Sequence, residues 1–305
     1  MRAAIFDFGT NTFNLLVAEK SGDGFRILYS GKQPVKLGKG GINDRNITPE
    51  AMERGYRAIA NHFKTIETFG VSDIHAYATS AIRNAGNGKV FAEEIHRRFG
   101  FSLNIIAGDE EAALIYEGVR ESVRFGDETA MILDIGGGSN EFIICHAGGI
   151  LWKQSFELGM ARIIEMFTIS DPITSTEANR IEMHYKAELK PLLVQAEKYN
   201  PTLLVGASGT FDTIAAMAQH RYKNMYHTDN SSREVSIEHF RELHDLILTS
   251  TTKERLLMPG MEPVRVEMIV PAMIFIKFVI NKCNLVSIRQ TNYALKEGVM
   301  SRLIK

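Results

Sequence analysis

The feature that most restricts the possible folds of this chain is a fifteen-residue segment that occurs twice. Residues 3–17 read AAIFDFGTNTFNLLV and residues 130–144 read AMILDIGGGSNEFII, and the two align without a gap. Each has four apolar residues, then Asp, an apolar residue and Gly, and ends in a second apolar run. Apolar runs on either side of a Gly-containing turn are typical of a β-hairpin. The repeat therefore predicts two related halves, each built around a strand–turn–strand unit.

The remaining apolar pattern predicts an α/β chain. A strand-like run at 25–29 follows the first repeat unit, and helix-like and strand-like segments then alternate. Besides the strands of the two repeat units, we predict strands at 74–78, 103–106, 150–155 and 203–205, and helices at 49–69, 89–99, 109–124, 161–168, 175–198, 209–221, 236–248, 263–281 and 293–303. This alternation is typical of sheets that are covered by helices.

The length of the chain and one local change in composition indicate two domains. A chain of 305 residues can form two domains that each bury a core. The composition shifts at 124–128, so we predict domains at 1–125 and 126–305, with the last helix free to pack back on the first domain.

The composition argues against several classes of protein. Hydrophobic residues make up 45% of the chain and charged residues 23%, with a formal net charge of −1, so neither nucleic acid nor a membrane surface is an expected partner. The longest apolar run, Ile269–Ile280, contains Pro271 and Lys277 and is too short to span a bilayer. Cys145 and Cys283 are too few for a disulfide framework or a cysteine metal site. The N-terminus has no signal-peptide pattern, so we expect a cytoplasmic protein.

The turn of each repeat unit has the composition of a phosphate-binding loop. An Asp at the end of a buried strand is costly unless its charge is used, and the glycines that follow let backbone N–H groups approach an anion. The predicted phosphate-binding residues are Gly9, Thr10, Asn11 and Thr12 in the first turn, and Gly136, Gly137, Gly138 and Ser139 in the second. Asp7 and Asp134 are suited to a hard divalent cation such as Mg²⁺. One such turn alone is usually only a tight hairpin, so the prediction depends on two in matched positions.

A third glycine-rich turn follows the apolar run at 203–205. Ser208, Gly209 and Thr210 open a predicted helix there, and such a helix N-terminus offers N–H groups to a phosphate or a nucleoside. The alternative is a turn that serves only the close packing of a strand on a helix.

Seven segments between Ala3 and Ala272 carry a resemblance to a known family. They are AAIFDFGTNTFNLLVAE, YATSAIRNAGNG, AGDEEAALIYEGV, ILDIGGGSNEF, FELGMARIIEMF, GASGTFDTIAAM and RVEMIVPA. In this order they resemble the exopolyphosphatase/guanosine pentaphosphate phosphohydrolase (Ppx/GppA) family of the actin–sugar kinase–Hsp70 superfamily. ATSAIRNA together with GDEEA is the most specific part of the match. The resemblance implies two actin-like, ribonuclease H-like α/β domains with a cleft between them.

The resemblance also implies roles for individual residues. Arg83, in ATSAIRNA, looks like the phosphate-binding arginine, since its planar fork suits phosphate oxygens. Glu111, in GDEEA, looks like the catalytic carboxylate that orients or deprotonates water. It lies at the edge of the apolar stripe of its predicted helix, where a carboxylate can reach a cleft. Glu141 and Asp134 look like acidic residues linked to Mg²⁺, with Glu141 also part of the catalytic set.

The resemblance implies that water attacks a terminal phosphoanhydride bond with the help of Mg²⁺. Inorganic polyphosphate or guanosine pentaphosphate is then the expected substrate and partner, and a homodimer is compatible with the sequence. Two alternatives stay open. One is an ATP-dependent kinase of the same superfamily, and the other is a non-catalytic sensor of polyphosphate or the alarmone.

Several positions depart from the family pattern. Asn14, Ala113, Asn140 and Glu267 stand where the family commonly has His, Arg, Thr and Asp. The missing positive charge at Ala113 is expected to alter the grip on substrate. Many relatives carry further C-terminal helical domains, so the resemblance implies a weaker hold on long polymers for this chain. None of these departures removes a residue predicted to take part in the chemistry.

Overall fold

Strands and helices alternate along the chain in the computed structural model, which describes residues 1–222 and 232–305. The strands are β1 Arg2–Phe8, β2 Thr12–Ser21, β3 Gly24–Pro34, β4 Ile74–Ala78, β5 Leu103–Ile105, β6 Ala130–Ile135, β7 Asn140–His146, β8 Gly149–Phe156, β9 Leu203–Ala207, β10 Ser232–Val235 and β11 Ser287–Thr291. The helices are α1 Pro49–Phe69, α2 Ser80–Arg83, α3 Gly88–Phe99, α4 Gly108–Arg120, α5 Met160–Met166, α6 Ser175–Glu188, α7 Lys190–Tyr199, α8 Gly209–Arg221, α9 Ile237–Thr249, α10 Thr252–Leu257, α11 Ile269–Lys282 and α12 Leu295–Ile304.

The strands form two mixed sheets with one shared topology. Strand order is β3-β2-β1-β4-β5 in the first sheet and β10-β11-β9-β6-β7-β8 in the second. In each sheet a three-stranded antiparallel meander is extended on one side by a strand parallel to its first strand. The predicted α/β fold with two actin-like halves is therefore confirmed. The predicted domain boundary lies between α4 and β6 and stays a prediction.

The repeat in the sequence is also a repeat in strand register. Asp7 of β1 pairs with Asn14 of β2, and Asp134 of β6 pairs with Glu141 of β7. The same two positions of the repeat unit thus lie side by side in both halves. In the first half they are an acid and an amide, and in the second half they are two acids.

Both repeat units make the same turn. The Gly9 N–H donates to the Thr12 carbonyl at 3.1 Å, and the Gly136 N–H donates to the Ser139 carbonyl at 3.0 Å. A Cβ atom on Gly9 would lie 2.9 Å from that carbonyl oxygen, and one on Gly136 would lie 2.6 Å from its counterpart. Glycine is required at both positions because the chain folds back so closely on itself.

Alternation along the central strands decides where the two aspartates lie. Ile5 of β1 and Ile132 of β6 belong to one buried cluster that lies between the two sheets. Since side chains two residues apart share a face of a strand, Asp7 and Asp134 continue the faces of Ile5 and Ile132. The inner apolar layer therefore ends in two carboxylates, one from each half.

Some predicted element boundaries were wrong. The helix predicted at 109–124 ends at Arg120, and the one predicted at 263–281 begins at Ile269, after a 3₁₀ turn at 263–265. The helix predicted at 175–198 is two helices that meet at Leu189. Pro191 lies in the first turn of the second helix, where its missing N–H costs little. The polar strands β10 and β11 were not predicted, because they are strands only through tertiary pairing: β11 pairs with β9, and β10 pairs with β11.

The helix that carries Glu111, α4, crosses the last helix, α12, at very short range. A Cβ atom on Gly118 of α4 would lie 1.9 Å from the Ala294 carbonyl oxygen, and one on Gly298 of α12 would lie 1.8 Å from the Leu114 carbonyl oxygen. α4 follows a strand of the first sheet and α12 follows a strand of the second. The last helix thus packs on the first half and fixes α4 relative to both halves.

We expect Gly298→Ala to destabilise the protein by about 1–3 kcal/mol, because backbone on the facing helix leaves no room for the added methyl group. Urea unfolding followed by circular dichroism measures the loss. Gly126→Ala is the matched control, since no atom lies within 4 Å of its added Cβ. We expect that control to stay within about 0.5 kcal/mol of the wild type. Equal stability of the two variants would contradict the packing argument.

Candidate functional site

A polar cavity of about 70 Å³ lies where the two glycine-rich turns meet. It is lined by Asp7, Gly9, Thr10, Asn11, Thr12, Asn14, Thr79, Ser80, Glu111, Asp134, Ile135, Gly136, Gly137, Gly138, Ser139, Glu141, Ser208 and Arg265. Every residue predicted from the two turns is in this lining, as are the predicted acids of both halves. The fold therefore brings together residues that are far apart in the chain.

Three predicted site residues stand apart from this lining. Gly209 lines a second, adjoining cavity. Thr210 is 3% exposed inside α8 and lines neither cavity, so its predicted direct contact with phosphate finds no support in the structure. Arg83 lies behind the first cavity, where it contacts Glu111. Arg83 therefore lies next to the first cavity and does not line it.

The two turns approach each other within contact distance. A Cβ atom on Gly138 would lie 2.6 Å from both the Ser80 Oγ and the Thr10 Oγ1 atoms. The Arg162 guanidinium holds this arrangement, since its Nε donates to the Gly138 carbonyl at 2.7 Å and its Nη1 donates to the Ile42 carbonyl at 3.0 Å. Arg162 thereby ties the second turn to the first half of the chain, and the turns enclose a small, fixed space.

Glu111 is held by a short ion pair. It lies in the first turn of α4, where a negative charge is favoured by the helix dipole, and only 7% of its surface is exposed. The Arg83 Nη1 atom donates to the Glu111 Oε2 atom at 2.7 Å and also to the Ile106 carbonyl at 3.2 Å. The carboxylate therefore has one oxygen fixed by an arginine and lines the cavity.

The second half contributes its acids from two adjacent strands. Glu141 of β7 is 2% exposed, and Ser155 of β8 donates its hydroxyl to the Glu141 Oε1 atom at 2.7 Å. In the first half, the Asn14 amide donates to the Asp7 Oδ2 atom at 2.8 Å. Asn14 and Glu141 occupy equivalent positions of the two repeat units. Asn14 holds Asp7 by this hydrogen bond, whereas Glu141 places a second acid beside Asp134.

Burial and mutual repulsion shift the acids of the cavity in one direction. Burial raises the pKa of Glu141 to about 7. Burial, and then the nearby charge of Glu141, raise the pKa of Glu111 well above its usual value. Burial, then the charges of Glu141 and Asp7, raise the pKa of Asp134 in the same way. Burial also raises the pKa of Asp7, against the hydrogen bond from Asn14. Four carboxyl groups thus surround a small space in which some of their charge is uncompensated.

The donor set fits Mg²⁺ when a phosphate ligand is present. Within residues 1–222 and 232–305, no group of three or more His, Cys, Asp or Glu side chains is arranged to hold a metal ion by itself. Mg²⁺, however, keeps several waters and usually binds through one or two carboxylates and substrate phosphates. Asp7, Asp134 and Glu141 supply such hard oxygen ligands, and a cation would relieve the repulsion that raises their pKa values.

If Glu111 is the general base of a phosphohydrolase, we expect phosphate release to keep rising with pH above the usual titration range of a glutamate. A carboxyl group that accepts a proton must be ionised, and a raised pKa keeps it protonated until higher pH. Burial raises the pKa of Glu111 well above its usual value, which moves the acidic limb of the rate profile to a higher pH than an ordinary glutamate would give. Initial rates between roughly pH 5 and pH 9 test this expectation. A rate that is already maximal at the low end of that range would contradict it.

A larger cavity of about 450 Å³ adjoins the first. The two cavities share Asp7, Thr12, Asn14, Asp134, Ser208 and Arg265 in their walls. The basic residues of the larger one are Lys32, Arg233, Arg265 and Lys296. Burial opposes the charge of Lys296, but Glu297 at 2.8 Å outweighs it and raises the lysine pKa. The same wall contains Asp212 and Glu262, and Glu262 pairs with Lys32, so the larger cavity carries charges of both signs and provides room for a ligand that extends from the first cavity.

The sequence argument assigned no role to Arg265, although this residue lines both cavities. Its guanidinium lies over the third glycine-rich turn, since a Cβ atom on Gly209 would be 1.7 Å from the Arg265 Nη2 atom. Among the described residues its buried Nε atom has no hydrogen-bond partner. The segment RVEMIVPA contains this arginine, and that was the available signal.

Comparison with known proteins agrees with the motifs. The sequence model of the Ppx/GppA phosphatase family matches residues 16–305, which is nearly the whole chain. The chain therefore belongs to the Ppx/GppA phosphatase family. The sequence motifs predicted this membership. The two halves, their glycine-rich turns and the acids between them are therefore those of a member of this family.

Solved structures and one curated relative show the extent of the similarity. The crystal structure of an exopolyphosphatase from Cytophaga hutchinsonii matches with a TM-score of 0.96 and 35% identity, over 100% of this chain and 98% of that one. A Ppx/GppA family member from Aquifex aeolicus shares the fold, with a TM-score of 0.79 and 22% identity over 100% and 97% of the two chains. A bifunctional 3-dehydroquinate synthase/phosphatase from Fusobacterium nucleatum is 29% identical over 92% of this chain. This chain spans 43% of that protein.

From its sequence, the longest apolar run is predicted to be too short to span a bilayer. No helix within the described ranges combines the length and the apolar character needed to cross a membrane.

Proposed function

We propose that this protein is a phosphohydrolase that releases the terminal phosphate of inorganic polyphosphate, of guanosine pentaphosphate, or of both. The observation that carries the proposal is Glu111, a buried carboxylate of raised pKa that an arginine holds at the wall of a cavity between two glycine-rich turns. The family and the 35% identical exopolyphosphatase support this class of reaction.

The terminal phosphoryl group would occupy the smaller cavity. The backbone of 9–12 and 136–139 lines that space from both sides, and the hydroxyls of Thr10, Ser80 and Ser139 are in the same wall. Backbone N–H groups in such turns bind anions without a change in charge state. Phosphoryl transfer depends mainly on positioning and on stabilising negative charge, which such a space can do.

Glu111 would act on the attacking water as general base. Its raised pKa makes it a better proton acceptor than an ordinary carboxylate, as general-base catalysis near neutral pH requires. The ion pair with Arg83 fixes the direction of the carboxylate, leaving its second oxygen for water. No nucleophilic Ser or Cys is needed, because water attacks the phosphorus directly.

Asp7, Asp134 and Glu141 are the residues that would hold Mg²⁺. When bound, Mg²⁺ neutralises charge on the phosphate oxygens as the bond to the leaving group breaks. Arg265 lines the same cavity as these three carboxylates, so the site would have a fixed cation in addition to the bound metal.

The rest of the substrate would extend into the larger cavity. Its basic residues suit the second and later phosphates of a chain or of a guanosine phosphate. Asp212 lies in the same wall, where Gln290 donates to its Oδ1 atom at 2.7 Å. The volume of about 450 Å³ is within the range of small-molecule sites and admits either substrate.

A phosphate-release assay tests the proposal. Purified protein with Mg²⁺ is given short or long polyphosphate, guanosine pentaphosphate, or ATP without an acceptor, and free phosphate is measured. We expect release from polyphosphate, from guanosine pentaphosphate, or from both, and loss of release with EDTA. If the folded protein releases no phosphate from any of them, the hydrolase proposal fails. Phosphate transfer that requires an acceptor would indicate a kinase, and tight binding without turnover would indicate a sensor.

A further inference from the structure

Arg83 is held back from the cavity by two carboxylates. Its neighbours in space, Ser80 and Glu111, line the cavity, whereas Arg83 itself does not. The Arg83 Nη1 atom donates to Glu111 at 2.7 Å, and the Nη2 atom donates to the Oε1 atom of Glu157 at 3.2 Å. Both ends of the fork are therefore occupied by protein, and an entering phosphate must compete for them.

Glu157 also occupies a second donor of the site. It lies between β8 and α5, and 44% of its side chain is exposed. The Ser80 hydroxyl, which lines the cavity, donates to the Glu157 Oε2 atom at 2.7 Å. One carboxylate thus engages both the guanidinium and the hydroxyl that a phosphate oxygen would use.

Releasing these two donors would not leave Glu157 without a counter-charge. The Arg162 Nη2 atom donates to the same Oε2 atom at 2.8 Å. Arg162 is 9% exposed and is anchored by the carbonyls of Gly138 and Ile42. Because the Glu157–Arg162 pair can persist, a phosphate can take over Arg83 and Ser80 without creating an unpaired buried charge.

We propose that Glu157 sets the affinity of the site for phosphate by competing with the bound phosphate group for Arg83 and Ser80. Its charge weakens the hold of the site on phosphate, which favours departure of the inorganic phosphate product. Glu157 acts through Arg83, so it is an affinity-setting residue and not a catalytic one. The inference takes the identity of the ligand, a phosphate group, from the proposed function.

Whether phosphate binding becomes tighter or weaker when Glu157 is replaced distinguishes this role from a purely structural one. Glu157→Gln removes the charge and keeps the size of the side chain. We expect it to bind inorganic phosphate about two- to fivefold more tightly than the wild type, the range for loss of one partly exposed ion pair. A residue that merely supports the fold would weaken phosphate binding when it is replaced. Isothermal titration calorimetry with inorganic phosphate at low ionic strength measures the affinity, and thermal unfolding checks that the variant is folded.

The Arg83→Met background tests whether the effect of Glu157→Gln on phosphate affinity depends on Arg83. We expect Glu157→Gln to cause less tightening there than in the wild-type background, because the competition for Arg83 has been removed and only the competition for Ser80 remains. Glu94→Gln is the matched control, since Glu94 pairs with Arg97 and Arg98 on the exposed surface of α3. Its phosphate affinity should equal that of the wild type.

Several results would overturn the inference. One is unchanged or weaker phosphate binding by folded Glu157→Gln, and another is equal tightening in the Arg83→Met background. A third is no binding by wild type and variant at roughly 10 mM phosphate, where a dissociation constant of about 1 mM would still be detected. Binding needs no turnover, so the two proposals fail separately. An inactive protein whose Glu157→Gln variant binds phosphate more tightly contradicts only the hydrolase. An active hydrolase with unchanged affinity contradicts only the role of Glu157.

Discussion

Replacing Glu111 with Gln is expected to lower phosphate release by about 100- to 10,000-fold, the usual contribution of a general base. Glutamine has nearly the same shape, and its carbonyl oxygen can accept the hydrogen bond from Arg83 that Glu111 accepts at 2.7 Å. It cannot take a proton from water. We therefore expect the loss in kcat, with little change in KM, measured as initial rates of phosphate release from polyphosphate.

Glu110→Gln is the matched control for this experiment. Glu110 precedes Glu111 in the first turn of α4, but half of its side chain is exposed and it lies 3.9 Å from Arg302 on the surface. We expect the control to retain wild-type rates. If Glu111→Gln kept a rate within about threefold of the wild type, less than 1 kcal/mol of barrier, Glu111 would not be the base.

Replacing Gly138 with Ala is expected to lower kcat/KM by about 10- to 100-fold, because a displacement of about 1 Å at a site of this kind can cost that much. The added methyl group would lie 2.6 Å from the hydroxyl oxygens of Ser80 and Thr10, in the gap between the two turns. The Ser80 Cβ atom would also lie 2.9 Å from the added methyl group, so the start of α2 must shift, at some cost in stability, before the two hydroxyls can move aside. The site they form should not keep its shape.

Steady-state kinetics on polyphosphate and thermal unfolding together test this second prediction. We expect Gly138→Ala to fold with a loss of stability of about 1–3 kcal/mol, alongside the loss of kcat/KM. Gly126→Ala, which meets no atom within 4 Å, should leave both unchanged. Full activity of Gly138→Ala would show that the gap between the turns does not hold the reacting phosphoryl group.

Local patterns accounted for much of the fold and for most of the candidate site. The helix predicted at 49–69 has these bounds in the structure, and Thr48 caps it by accepting a hydrogen bond from the Ala51 N–H. The prediction of a single helix at 175–198 was wrong because the helical pattern of the sequence continues through Leu189. The break there depends on a single residue, Pro191. The strands β10 and β11 are polar and short, so their own residues do not distinguish them from loops.

Most of the residues of the site were found because they cluster in short motifs. Gly9 to Thr12 and Gly136 to Ser139 belong to turns whose shape depends on consecutive residues, and the family motifs pointed to Arg83 and Glu111. Glu157 and Arg265 lie in the family segments FELGMARIIEMF and RVEMIVPA, but those segments alone did not indicate what either residue does. Each is placed by contacts with residues far away in the chain, such as the 3.2 Å contact between Arg83 and Glu157.

The sequence by itself determined the duplicated hairpin, its glycine turns and the two aspartates at equivalent strand ends, because strand alternation and turn geometry depend on neighbouring residues. Only the tertiary structure decided that Arg83 faces Glu111 and Glu157 instead of the cavity, and that a second, larger cavity continues from the first. These features depend on how the two sheets and the crossing of α4 with α12 bring distant segments together. Burial then sets the pKa values of the acids, and burial is a property of the packed chain.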